Sequence, residues 1–69
     1  MFYKSLRHDH QTRRYSIAAT ATGWEVREER DSEVVKKVEY HDWHRVERAL
    51  AIFRLEVSEL TAGGWSEVH

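Results

Sequence analysis

RRYSIAATATGWEVREERDSEVVKKVEY, residues 13–40, decides the fold of this chain. From Arg13 the residues alternate, with Tyr15, Ile17, Ala19 and Ala21 on one side and Ser16, Ala18, Thr20 and Thr22 on the other, the period-two signature of a half-buried strand. Thr22-Gly23 supplies a two-residue turn in which glycine accepts the positive φ of a tight hairpin. With that turn Ala21 faces Trp24, Ala19 faces Val26 and Ile17 faces Glu28, so the apolar sets of both strands land on one side. The next reversal is at Asp31. A two-residue loop there would set Val26 against Lys37, whereas a three-residue loop, Asp31-Ser32-Glu33, sets Trp24 opposite Tyr40, Val26 opposite Val38 and Glu28 opposite Lys36, which gathers the apolar residues.

After the third strand the period changes. Asp42 reads as a helix N-cap, and Trp43, Val46, Leu50, Phe53, Val57 and Leu60 then recur at steps of three and four, flanked by Ala49, as one stripe that covers the sheet. Gly63-Gly64 ends the run, and Trp65 folds back onto the last turn. The expected architecture is therefore α+β, β-β-β-α: a three-stranded antiparallel meander (about 13–22, 24–30 and 34–40) packed by one C-terminal amphipathic helix (about 42–62). Residues 1–69 form a single small domain in this reading. Residues 1–12, without a sustained period, form a loose basic arm, 66–69 form a loose tail, and His69 has no nameable partner.

Composition narrows the function classes. The 69 residues are 41% apolar and 33% charged, with enough aromatic residues for a core, which argues against disorder. Cysteine is absent, so neither disulfides nor thiolate metal sites operate. No apolar run has the length of a signal peptide or a membrane span, and the chain reads as cytoplasmic. The net charge of −1 hides a basic start, Lys4, Arg7, Arg13 and Arg14 against Asp9 alone, followed by a mildly acidic body. No nucleophile-elbow context and no phosphate-cradling glycine pattern is present, and a sheet under one helix offers little concavity, so the expectation is a non-enzyme with no cofactor.

Three surfaces remain. On the far side of the helix, Ile52 and Leu55, with Ala51 nearby, project away from the main stripe and suggest a homodimer or a protein-partner contact. The open sheet face, with Arg27 and Lys37 and the arm residues Arg7, Arg13 and Arg14, offers cations to a nucleic acid, although Glu25, Glu29 and Glu39 share that face. The pairs His8/His10 and His41/His44 are weak candidates for a metal, which is not expected here, because Asp42 serves as a cap and His44 points outward.

As a strand order, residues 13–62 resemble the layout of plant ethylene-response DNA-binding domains and of the N-terminal domains of some transposon integrases, a resemblance that implies a sheet laid in the major groove. The helix end, Ala49 and Phe53 running into Gly63-Gly64-Trp65, is faintly similar to the end of WGR domains. The triplet that names those domains is missing, since Gly23-Trp24 is followed by Glu25.

Overall fold

A computed structural model describes residues 1–68; His69 lies outside the described residues. It shows β1 (Phe2–His8), β2 (Gln11–Ala19), β3 (Trp24–Arg30), β4 (Glu33–Tyr40), α1 (Trp43–Ala62) and β5 (Ser66–Glu67). The strands form one antiparallel sheet in the order β4-β3-β2-β1-β5, with α1 across one face. The expected three-stranded meander is thus corrected to five strands. The arm and the tail are the two missing ones, and the layout resemblance to three-stranded DNA-binding domains no longer describes this sheet.

The arm is ordered because it completes the core. β1 pairs with β2 through Phe2↔Ile17, Lys4↔Tyr15, Leu6↔Arg13 and His8↔Gln11, which turns Phe2, Lys4, Leu6 and His8 toward the helix. Leu6 is 0% exposed, and Phe2 packs against the core from the rim. Burying a side chain of that size stabilises by roughly 1.5–3 kcal/mol. Asp9 takes a φ of 54° in the Asp9-His10 turn, a left-handed conformation that Asp tolerates better than most residues.

Both expected hairpin loops change length. β2 and β3 pair as Ala19↔Trp24, Ile17↔Val26 and Tyr15↔Glu28, two residues away from the expected register. The loop is Thr20–Gly23, held by Thr20 Oγ1, which accepts from the amides of Thr22 and Gly23, and by Thr20 N donating to Gly23 O. A shift of two keeps each side chain on its face, so the apolar side is the expected one although the paired residues differ. Gly23 is required by clearance rather than by a positive φ: a Cβ there would stand 2.2 Å from the Tyr40 carbonyl oxygen. Between β3 and β4 the loop is Asp31-Ser32 alone, both left-handed (φ 52° and 70°), as a type I′ hairpin demands. The residue removed from the loop reappears as a bulge at Val35, because Glu28 pairs with Lys36 and Glu29 with Val34. Trp24↔Tyr40, Val26↔Val38 and Glu28↔Lys36 therefore stand where the apolar pattern placed them.

The helix begins and ends where its caps put it. Asp42 Oδ1 accepts from the His44 amide at 3.0 Å, and Val46, Ala49 and Phe53 are buried against Leu6, Tyr15, Ile17 and Val26. Leu50, Val57 and Leu60 flank that core, while Trp43 is more exposed and rests beside Trp24 with ring centroids 5.2 Å apart. Phe53 lies centrally, 4.9 Å from the Tyr15 ring and 6.2 Å from Phe2. At the C-terminus Trp65 N donates to Leu60 O and Gly64 N to Thr61 O, a Schellman motif with Gly64 at φ 100°. That turn aims the chain back along β1, where β5 pairs Ser66 with Arg7 and Glu67 with Leu6.

Candidate interaction site

The sheet has two margins of different character. Beyond β1 lies β5, fastened by Val68 N donating to Ser5 O, by an ion pair between Lys4 Nζ and Glu67, and by Trp65, which stacks on His8 at 5.5 Å and receives the Arg13 guanidinium 5.1 Å from its ring centre. Beyond β4 there is no strand among the described residues. Its outward N–H and C=O groups therefore have no strand partner, and Val34 and Val35 are 50% and 52% exposed.

Between β4 and α1 runs a groove of about 260 Å³ lined by Lys36, Tyr40, Arg45, Arg48, Ala49 and Ile52. Tyr40, Ala49 and Ile52 give it apolar surface, three side chains give it positive charge, and no carboxylate lines it. Glu28, directly across the strand from Lys36, is buried and engaged by Arg30, so the three cations that line the groove still leave it positive and favour an anionic occupant. A second groove at the far end of β2 and β3 is lined by Arg13, Arg30, Asp31 and Trp65 among others, and it carries both signs.

The residues singled out in the sequence divide. Ile52 (45% exposed) and Leu55 (61%) lie outside the core, as does Ala51. Ile52 lines the β4 groove. The cations offered to nucleic acid do not all share a face: Arg7, Arg14, Arg27 and Lys37 project from the open side of the sheet, whereas Arg13 points to the helix side, over Trp65. Glu25 Oε1 stands 3.6 Å from Arg27 Nη2 and 3.5 Å from Lys37 Nζ, so one carboxylate neutralises part of that face. The two His pairs do not meet. His8 ends β1 and His10 lies in the turn that follows, at one end of the sheet, while His41, whose Nδ1 lies 2.8 Å from the Thr22 carbonyl, and His44 follow β4 at the other end. Among the described residues no cluster suited to a metal ion occurs.

The buried ionisable groups lie in the core. Glu28 is buried, its Oε2 accepting from Arg30 Nε at 3.0 Å. The Tyr15 hydroxyl is buried and meets no partner in good hydrogen-bond geometry among the described residues, although the Arg13 and Glu56 side chains are near enough to act on its ionisation. Burial raises its pKa above the ordinary phenol value, the Arg13 guanidinium pulls the other way, and the charges of Glu56 and Glu28 push it further up.

Lys36, Tyr40, Arg45 and Arg48 did not emerge from the sequence as a site. A signal existed: Arg45, Arg48, Ile52 and Leu55 recur at steps of three, four and three, a second helical stripe opposite the core. Comparison with protein-family models, curated proteins and solved structures gave no match. No helix among the described residues is long and apolar enough to cross a membrane.

Proposed function

We propose that this chain is a protein-interaction module that docks an unlike protein partner along the side where α1 runs beside β4, with Ile52 and Leu55 as apolar anchors. The observation that carries the reading is a concave groove between α1 and β4 that has the exposed aliphatic Ile52 in its wall and exposed Leu55 one turn further along the helix, beside a β4 edge without a strand partner among the described residues. Single exposed aliphatics are ordinary; apolar residues beside a groove and an unpaired strand mark an interface. A symmetric pairing of two copies through β4 would bring Lys36, Lys37 and the groove arginines of both chains together, which disfavours self-association here.

Panning a displayed random-peptide library against the chain tests this. Binders that lose their grip on the Ile52→Glu/Leu55→Glu double variant, while multi-angle scattering holds the chain monomeric across its concentration range, are the expected result. Enriched binders indifferent to the double variant, or a concentration-dependent dimer abolished by it, would overturn the unlike-partner reading.

A further inference from the structure

Building on the docking reading above, we propose that the occupant of this side is an extended, acidic segment of a partner protein, added to the sheet as a sixth strand along β4. Three features of the groove specify it. The open backbone of β4 asks for a strand rather than a helix, since only an extended chain satisfies a row of outward N–H and C=O groups. The bulge at Val35 confines regular pairing to Lys36–Tyr40, a run of about 16 Å. Alternate residues of an added strand would then point to the helix side, into the groove. There Tyr40, Ala49 and Ile52 accept an aliphatic side chain, and Lys36, Arg45 and Arg48 accept carboxylates. The same cations repel a basic or self-complementary strand, so the charge both selects the partner and keeps the open edge from pairing with copies of itself.

The test uses the full chain and a capped heptapeptide in which Thr alternates with Leu, Glu and Glu. Two companion peptides carry Lys for Glu, or N-methyl groups on the backbone amides that would pair with β4. Amide NMR titration of the wild-type chain is expected to move Lys36–Tyr40 together with Arg45, Arg48 and Ile52. Affinity should fall about tenfold between low and high salt, as an exposed charge-assisted contact does. Arg48→Glu should weaken binding at least about tenfold, whereas Arg27→Glu, on the opposite sheet face, should leave it unchanged. The Lys and N-methyl peptides should not bind. If the N-methyl peptide binds as well as its parent and still depends on Ile52, strand addition is wrong while docking at this side survives. If the acidic peptide moves no resonance of β4 or α1, or moves the open sheet face instead, the acidic-strand inference falls. The library result then judges the docking reading separately.

Discussion

The two margins of the sheet solve the same problem in opposite ways. A terminal strand exposes unpaired backbone, and at β1 the chain covers it with its own tail: Gly64 turns the chain, Trp65 lodges between His8 and Arg13, and β5 pairs with Leu6 and Arg7. At β4 nothing among the described residues covers the strand, and protection comes from a bulge and two lysines that deter indiscriminate pairing. The contrast teaches that the first margin is closed by packing, whereas the second has no covering strand among the described residues and carries a bulge and two lysines instead.

The comparison breaks most readily at Gly23, which lets the β2–β3 loop pass against the end of β4. Gly23→Ala puts a Cβ where only 2.2 Å separates it from the Tyr40 carbonyl oxygen, which cannot swing aside as a side chain would. A loss of roughly 3 kcal/mol is expected, lowering the melting temperature by about 12 °C or more in a chain this short. A thermal melt checks it; a cost no larger than that of Gly64→Ala would mean the close approach is not real.

At the closed margin the expected losses are smaller. Trp65→Ala removes a half-buried indole with its stacking and cation–π contacts, and about 2 kcal/mol is expected from denaturant titration. Gly64→Ala forces a β-carbon into φ 100° and is expected to cost about 1 kcal/mol. Both variants should speed amide exchange at Val68, which bonds to Ser5, and leave β4 as it was. A variant that loosens β4 equally would dissolve the distinction between the margins.

Tyr15, on β2 midway between the margins, serves as a control with the smallest expected effect. Its phenol ionises above the ordinary value in the folded chain because burial disfavours the anion. The unfolded phenol ionises near pH 10, so its contribution is intact below about pH 10 and is lost as pH rises through the higher folded value. Tyr15→Phe, which deletes a hydroxyl that meets no partner in good hydrogen-bond geometry among the described residues, should change stability at neutral pH by no more than about 0.5 kcal/mol. It should also flatten the alkaline fall in stability followed by circular dichroism. An unchanged alkaline slope would place the titrating group elsewhere.

The β4 margin was more legible in the sequence than the β1 margin. The strands β3 and β4 and the helix alternate or repeat over local stretches, and the placing of Trp24, Val26 and Val38 follows from matching apolar sets even when the loop between them is misjudged. β1 was hidden because its inward set, Phe2, Lys4, Leu6 and His8, is half polar. Lys4 sits inward at the rim where it meets Glu67, and His8 where it meets Trp65, and both partners are far away in sequence. β5, two residues long, has no period at all; it exists because a Schellman turn delivers it to an edge. The loop at Thr20–Gly23 has four residues where the sequence suggests two, because glycine suggests a left-handed turn and here it answers to a carbonyl from another strand. As for the candidate site, the aliphatic half, Ile52 and Leu55, showed in the helical spacing. The cationic half needed β4 brought beside α1.

Residue-resolved amide hydrogen exchange, with and without the alternating Thr/Leu/Glu peptide, tests the asymmetry of the margins most directly. The free chain should protect the β1 amides that β5 covers and leave the outward amides of Lys36–Tyr40 fast. Saturating peptide should slow those β4 amides by at least about tenfold and change nothing at β1. Outward β4 amides already slow in the free chain, or slowed nowhere by the peptide, would contradict an open edge kept for a partner strand.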